Sequence, residues 1–320
     1  MTVDQAVAAP TRPRFRASVE LAFPAALLVL LVGAVIAFPS FRVVGTYLDI
    51  LSFSSVLFII AIGQTLVVIG RGVDLSVGSM AGLAGAVFAT LTVSGWSSAA
   101  AAGVALLLGL AVGAIAHGLL ITKLGISFMI VTLGTYSLLR SQAQVVLEGK
   151  SITIDVGWLD ALSNGRVLGI PSVVLLAAGL YLVAVLILRC TGFGRALYAT
   201  GSNPLAARLA GLPIDRVTII AFAVSGLFAA LAGLLTVGQL GSAQPGGGAG
   251  LELTAIAAVL LGGTRFSGGF GSVTRTLVGV LFLAVLNNVL YAAGVSSFWQ
   301  GTASGAVLIA AVAIDRSRKE

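Results

Sequence analysis

The residues that most often carry catalysis or metal binding are scarce in this chain of 320 residues, which contains one histidine, His117, and one cysteine, Cys190. A single cysteine excludes an intrachain disulfide and a thiolate metal cluster. A single histidine excludes an H-E-x-x-H site and argues against a Ser-His-Asp triad. We interpret both as residues packed within or beside helices. The sequence therefore predicts no catalytic residue, no metal site and no cofactor, and it favours a protein that is not an enzyme.

Two short stretches resemble nucleotide-binding motifs without meeting their requirements. Gly149-Lys150-Ser151 ends like a P-loop, but the first glycine of that motif would fall at position 144, which is Gln144. Gly192-x-Gly194 follows an apolar segment rather than a strand of a βαβ unit, so a dinucleotide fold is not supported. The sequence does not predict that this chain binds ATP by either route.

The overall composition is that of an integral membrane protein. Hydrophobic residues make up 58% of the chain and charged residues only 9%, and the mean hydropathy is +1.10. Soluble domains carry about 25% charged residues, so this chain lacks the charge to stay dissolved, and it is too apolar to be disordered. The net charge of +7 is explained by basic flanks of membrane spans, and we do not expect nucleic acid as a partner.

The long charge-free windows predict an all-α, polytopic membrane protein with about ten transmembrane helices. A helix needs about 20 apolar residues to cross the hydrocarbon core of a bilayer, and the eighth segment is short enough to be a half-helix. One re-entrant segment would reduce the count to eight or nine. The predicted segments are 21–38, 50–69, 75–94, 100–122, 125–146, 170–189, 217–238, 250–263, 276–293 and 298–314.

The distribution of basic residues predicts the orientation in the cytoplasmic membrane. With the N-terminus inside, 14 of the 18 lysines and arginines fall on the cytoplasmic side, and the reverse topology would reverse that ratio. We therefore expect both termini in the cytoplasm and an even number of spans. The predicted organisation is a cytoplasmic tail at 1–18, a transmembrane domain at 19–315 and a second tail at 316–320.

Two glycine-rich polar islands lie in opposite halves of the chain. Residues 70–79 read GRGVDLSVGS and residues 261–272 read LGGTRFSGGFGS, each between two apolar runs. Asp74 or Ser76 can cap the helix that follows the first island by accepting backbone N–H bonds. The first island is either a tight capped turn or a broken helix that borders a transport path. Paired glycine-interrupted segments favour an internal duplication around a central pathway.

A third island, residues 192–213, is the longest internal segment predicted on the cytoplasmic side. Ser202 or Asn203 can cap a helix, Pro204 suits its first turn and Gly211 can end it. This pattern predicts a helix of about two turns. It is either an amphipathic helix at the membrane surface or a docking element for a cytoplasmic partner, and we favour docking because a simple linker needs no such signals.

Taken together, the islands resemble the permease subunit of bacterial ABC importers for monosaccharides, the ribose, xylose and galactose group. The resemblance covers roughly residues 45–315. It is carried by GVDLSVGS at 72–79, by SAQP at 242–245 with the stretch 250–264, by LNN at 286–288 with GVSS at 294–297, and by residues 195–211.

The resemblance implies an ABC importer permease fold and a set of partners. It implies a homodimer of permease subunits, a cytoplasmic ABC ATPase subunit, a solute-binding protein outside the inner membrane and a neutral sugar as substrate. ATP binding and hydrolysis on the partner would drive the dimer between outward and inward openings. A ribose-like pentose is favoured, while another sugar or a sugar-derived signal such as autoinducer-2 stays open.

On this interpretation the candidate residues fall into two groups. The residues expected to couple the chain to the ATPase are Ser202, Asn203, Pro204, Ala207, Arg208 and Gly211. The residues expected along the translocation pathway are Gln64, Asp74, Ser76, Gly262, Gly263, Asn287 and Asn288. Two rival classes are an intramembrane enzyme, which lacks clustered catalytic residues, and an ion-coupled secondary transporter, for which Asp74 and Glu252 are the candidate carboxylates.

Overall fold

The computed structural model describes residues 22–296 and, beyond them, residues 299, 301–302, 305–306 and 309. The predicted tails, 1–18 and 316–320, and most of the predicted tenth span lie outside the described residues. The helices are α1 (Ala22–Ala37), α2 (Val44–Ile69), α3 (Val77–Val93), α4 (Ser98–Lys123), α5 (Phe128–Val146), α6 (Gly157–Ser163), α7 (Ser172–Cys190), α8 (Gly192–Ser202), α9 (Pro204–Leu209), α10 (Ile214–Leu240), α11 (Leu251–Leu261) and α12 (Val273–Ala292).

Each of the first nine predicted segments coincides with one of these helices. Five described helices, α2, α4, α7, α10 and α12, are long and apolar enough to cross a membrane. These helices establish a polytopic helical protein. They do not establish the predicted count of about ten crossings. As expected, α11 is short: its 11 residues span about 16 Å, against a hydrocarbon core of about 30 Å.

The start of α2 was predicted too late. The predicted start at residue 50 takes Asp49 as the boundary of the apolar segment, whereas the helix begins at Val44 and contains Asp49. The side chain of Asp49 is 65% exposed and lies 3.9 Å from Arg166, so the helix carries the charge without burying it. Charge-free windows therefore underestimate the length of a helix wherever a charged residue near its end faces outwards.

Helices α2 and α10 form the centre of the bundle. In the most apolar window of α2, 83% of the residues are buried inside the protein, and in α10 61% are, against 22% in α7. The more peripheral helices present leucine, valine and isoleucine outwards, which suits contact with lipid tails. The most protected positions for polar side chains are therefore on α2, α10 and the elements that touch them.

Glycines bring the central helices into backbone contact. A Cβ atom on Gly226 of α10 would overlap the carbonyl oxygen of Gly109 on α4, and one on Gly113 would overlap the carbonyl of Phe222. In α3, Gly82 lies against the carbonyl of Gly247 in the loop after α10. Small residues at such crossings allow close packing in a membrane, where helix association cannot rely on the hydrophobic effect.

The prediction of an all-α fold needs one small correction. Four strands of two residues pair antiparallel, Ile152–Thr153 (β1) with Ser242–Ala243 (β4) and Arg166–Val167 (β2) with Ile170–Pro171 (β3). The β1–β4 pair ties the loop after α5 to the loop after α10. These pairings are too short to leave an alternation of apolar and polar residues in the sequence.

The segment between α7 and α10 contains two short helices rather than one. Asn203 caps α9 as predicted: its Oδ1 accepts from the N–H of Ala206 at 3.0 Å, and Pro204 follows at the first helical position. Gly211 has a φ of 75° just after the end of α9, the left-handed conformation that glycine adopts most easily. Helix α8, capped by Thr191, was not predicted.

We predict opposite effects for two Gly→Ala substitutions within helices. Gly226→Ala forces α10 away from the backbone of α4 and should destabilise the protein by about 1–3 kcal/mol. Gly179→Ala in α7, where nothing lies near the added methyl group, should be neutral or stabilise it by up to about 1 kcal/mol. Thermal unfolding of the detergent-purified variants measures both effects, and equal melting temperatures would contradict the packing described above.

Candidate translocation and coupling site

The carboxylate of Asp74 is the centre of a buried polar cluster. Its Oδ1 accepts hydrogen bonds from the backbone N–H and the hydroxyl of Ser76, at 3.0 and 2.6 Å. Its Oδ2 accepts from the hydroxyl of Ser225 on α10, at 3.0 Å. Asp74 is 0% exposed and Ser225 is 1% exposed. One carboxylate therefore holds the turn between α2 and α3 against the central helix α10.

The single histidine is packed within a helix, as expected, and it belongs to the same cluster. His117 is 1% exposed and lies in the π-helical part of α4, residues Val112–Leu119. Its Nε2 is 2.8 Å from Oγ1 of Thr135 and 3.3 Å from Oγ of Ser76, and its Nδ1 is 3.8 Å from Oδ2 of Asp74. π-Helical turns are rare and often mark functional sites.

The cluster differs from the predicted cap and from an open passage. Ser76 is the N-cap residue of α3, but its side chain makes no capping bond and donates to Asp74 instead. In the amide orientation that satisfies both partners, Gln64 bonds the backbone N–H and carbonyl of Asp74 at 3.3 Å each. Since Gln64, Asp74 and Ser76 are at most 1% exposed, they hold elements together in this conformation rather than line an opening.

Serine, histidine and aspartate meet here, but their geometry is not that of a hydrolase triad. In a triad the serine hydroxyl bonds the histidine and the aspartate orients the opposite ring nitrogen. Here the Ser76 hydroxyl donates to Asp74, and Nδ1 of His117 has no hydrogen-bond partner among the described residues. The cluster is also closed to solvent, so it offers no place for a substrate to react.

The two glycine-rich islands meet each other at helix α8. The N–H of Gly269 in the second island donates to the carbonyl of Ile69, directly before the first, at 2.9 Å. Gly201 of α8 lies against the same carbonyl and would have its Cβ 2.5 Å from the nitrogen of Gly269. Arg71, in the first island, has a φ of 70°, which is costly for a residue with a side chain. Any displacement of α8 must therefore reach both islands.

Tyr198 adds a side-chain bond to this junction. Its hydroxyl donates to the carbonyl of Gly271 at 2.9 Å. Burial raises the pKa of Tyr198 above its ordinary value, while the charges of Arg189 and Arg275 act to lower it. A tyrosine hydroxyl is protonated at neutral pH even at its ordinary pKa of about 10, and the upward shift of the pKa widens that margin, so the hydroxyl remains a hydrogen-bond donor to the second island.

The second island carries the two glycines predicted on the pathway. Gly262 ends α11, and a Cβ there would lie 2.5 Å from the carbonyl oxygen of Arg275 at the start of α12. Gly263 has a φ of 78° and continues the turn. Both therefore shape the backbone between α11 and α12, next to the junction with α8.

The predicted pathway asparagines lie elsewhere. Asn287 and Asn288 are half-buried in α12, and Asn287 is 14 residues, about 21 Å, along the helix from Val273. Oδ1 of Asn287 is buried without a hydrogen-bond partner among the described residues. The seven predicted pathway residues therefore do not form one site: five surround the two islands and two lie far along α12.

The predicted coupling residues are mostly at the surface, with one exception. Ser202, Asn203, Arg208 and Gly211 are exposed and Pro204 is half-buried, whereas Ala207 is only 4% exposed. Ala207 packs inside its own chain, which leaves little of its side chain for a partner, and its contact with the ATPase stays a prediction.

Sequence reasoning also missed two apolar residues on the surface of α9. Leu205 is 69% exposed and Leu209 is 81% exposed, and they are one helical turn apart. Beside them, Asp215 lies 2.8 Å from Nζ of Lys123 and 3.4 Å from a guanidinium nitrogen of Arg208. The exposed face of α9 therefore combines two apolar side chains with a small charged cluster.

Comparisons with known proteins agree on a transport permease. The family described as "Branched-chain amino acid transport system / permease component" matches residues 46–312. The ribose import permease protein RbsC of Escherichia coli (strain K12) is 39% identical over 301 residues, which cover 92% of this chain and 92% of the relative. RbsC of Bacillus subtilis (strain 168) is 38% identical and covers 91% of each chain.

A third relative has a different substrate in its name. The autoinducer 2 import system permease protein LsrC of Photorhabdus luminescens is 38% identical over 266 residues, covering 83% of this chain and 80% of the relative. No solved structure matches the chain.

We predict a graded series at Asp74. Asp74→Ala leaves the buried N–H of Ser76 without an acceptor and should destabilise the protein by at least about 1–3 kcal/mol. Asp74→Asn keeps one oxygen acceptor and should cost less. The control, Asp49→Ala, removes an exposed carboxylate and should change stability by less than about 0.5 kcal/mol. Thermal unfolding in detergent ranks the variants, and an Asp74→Ala protein as stable as Asp49→Ala would contradict the role of the cluster.

Proposed function

Because this chain belongs to the branched-chain amino acid transport system / permease component family, we propose that it is the membrane-spanning subunit of an ATP-driven importer for a ribose-like sugar. The chain is a transporter component and not an enzyme. The proposed subunit forms a homodimer with about ten spans per chain and both termini in the cytoplasm. It receives its substrate from a solute-binding protein outside the inner membrane and its energy from a cytoplasmic ABC ATPase.

The observation that carries the proposal is the way α8 and α9 are built into the bundle. Helix α9 leaves Leu205 and Leu209 exposed side by side on the surface of the chain, and neighbouring exposed apolar side chains support a contact surface for a partner. Helix α8 is fixed by Gly201 and Tyr198 to the two islands between membrane helices. A partner that grips α9 can therefore move α8, and α8 can move both islands.

The choice of sugar follows from the relatives rather than from the family description. Ribose stands in the names of relatives that cover more than nine-tenths of this chain. Autoinducer-2, a sugar-derived signal, is the second candidate because a permease named for it is 38% identical. An ion-coupled transporter would need a carboxylate in the membrane that is available to a cation. Both oxygens of Asp74 already accept hydrogen bonds from serines, whereas Oε2 of Glu252 is buried without a hydrogen-bond partner among the described residues, so Glu252 is the remaining candidate for that rival.

We predict that the double substitution Leu205→Ser and Leu209→Ser prevents coupling to the ATPase. Each leucine buried at an interface contributes about 1.5–3 kcal/mol, so losing both should weaken the complex at least tenfold. ATP-dependent uptake of D-ribose into proteoliposomes and co-purification of the ATPase subunit should fall together.

The matched control is Leu168→Ser. Leu168 is 98% exposed at the β2–β3 turn, near the end of α10 that lies farthest from α9. This variant should keep full ATPase recovery, because Leu168 lies on the side of the chain opposite α9. Normal ATPase recovery with the α9 variant would place the docking surface elsewhere, and uptake by the purified chain alone, driven by an ion gradient, would overturn the ATP-driven mechanism.

A further inference from the structure

A cavity of about 390 Å³ lies at the end of α10 opposite the coupling helices. It is half open and is lined by the first half of α2, by α3, by the end of α10 and by the loop 241–250. The 27 residues of α10 place it about 40 Å from α9. We propose that this cavity is a binding site within the permease for a neutral monosaccharide that enters the transport path.

The lining of the cavity has the hydrogen-bonding groups that a sugar requires. Gln239 and Gln244 each supply an amide that both donates and accepts, and the hydroxyl of Ser242 does the same. The hydroxyl of Thr236 already donates to the carbonyl of Ala232 at 2.8 Å, so it offers an acceptor. Phe53, Leu57 and other apolar residues form the remaining wall. A few polar groups on a mostly apolar wall are typical of small-molecule sites, and 390 Å³ lies near the small end of their range of about 300–1,000 Å³.

The absence of charge in this lining selects the class of ligand. Among the described residues that line the cavity there is no lysine, arginine, histidine, aspartate or glutamate. A zwitterionic amino acid would lose its hydration here without gaining an opposite charge, which is costly. A neutral polyol loses only hydrogen bonds to water, and the glutamines and hydroxyls can replace them. The cavity therefore fits a sugar better than the amino acid in the family description.

The polar wall is held in place before any ligand binds. Strand β4 pairs with β1 immediately before Gln244, and the N–H of Gly247 donates to the carbonyl of Gln244 at 2.9 Å. The carbonyls of Gly247 and Gly248 rest on Gly82 and Gly78 of α3, where a Cβ atom would collide with them. A site whose backbone is already fixed loses less binding free energy to the ordering of its own residues.

This inference rests on the proposed function, and the first experiment reads out binding without transport. With the exposed Cys190 replaced by serine, Ser242→Cys places a thiol in the cavity of the purified permease in nanodiscs. Millimolar D-ribose should slow labelling of this thiol by a polar maleimide several-fold, and L-leucine should not. Adding Gln239→Leu and Gln244→Leu should weaken the protection at least tenfold, as expected for two lost hydrogen bonds.

The control thiol is Ser151→Cys, on an exposed loop residue that does not line the cavity. Its labelling should be unchanged by either solute. Equal slowing at both positions, slowing by L-leucine as large as that by D-ribose, or no slowing at Ser242→Cys would each overturn the inference.

The second experiment separates failure of the site from failure of the proposed function. The wild-type permease, assembled with its ATPase and its binding protein, is assayed for D-ribose taken up per ATP hydrolysed. The Gln239→Leu, Gln244→Leu assembly should take up at least tenfold less sugar per ATP, while Gln142→Leu, at an exposed residue outside the cavity, should match the wild type. Equal uptake by all three overturns the binding site alone, whereas a wild-type assembly that imports no sugar overturns the proposed function.

Discussion

The fold depends on one constraint: a polar group inside a membrane protein must find its partner within the protein. The carboxylate of Asp74 shows how the chain meets it, because three donors from Ser76 and Ser225 converge on its two oxygens. Gln64 binds the backbone of the same residue, and His117 and Thr135 close the cluster from α4 and α5. A turn that would otherwise leave polar groups unpaired thereby becomes the point where α2, α4, α5 and α10 are held together.

This arrangement explains why the two glycine-rich islands and helices α8 and α9 form one connected unit. The first island ends in the Asp74 cluster, the second is bonded to the first through Gly269, and α8 contacts both through Gly201 and Tyr198. These contacts are made largely by backbone atoms, so a displacement of one element passes to the next without being absorbed by side-chain rotation. A force applied at α9 has a short route to the polar centre of the bundle.

The sequence predicted the elements well because its strongest signals are local. Charge-free windows identified the helices, and the cap at Asn203, the proline at Pro204 and the glycine at Gly211 identified α9. The error at Asp49 arose because a charge near a helix end was taken as an end signal. The sequence also could not show which face of α9 is buried, which is why Ala207 was chosen and Leu209 was missed.

The polar cluster could not be predicted, since its members are far apart in the chain. Ser76 and His117 are separated by 41 residues, and Asp74 and Ser225 by 151. A lone histidine in an apolar segment gives no sign of its partners, and its place in a π-helical stretch has no signature in the sequence. Asp74 and Ser76 were singled out because polar residues between apolar runs need a reason, but only the structure shows that the reason is mutual hydrogen bonding.

The glycine contacts between α3 and the loop 241–250 have a consequence for how the molecule can move. Gly78 and Gly82 lie directly under the carbonyls of Gly248 and Gly247, so neither surface can slide without a steric collision or a gap. Helix α3 and this loop must therefore travel together as a single rigid body. In the proposed transport cycle, alternation between two open states then requires hinges at the borders of this body.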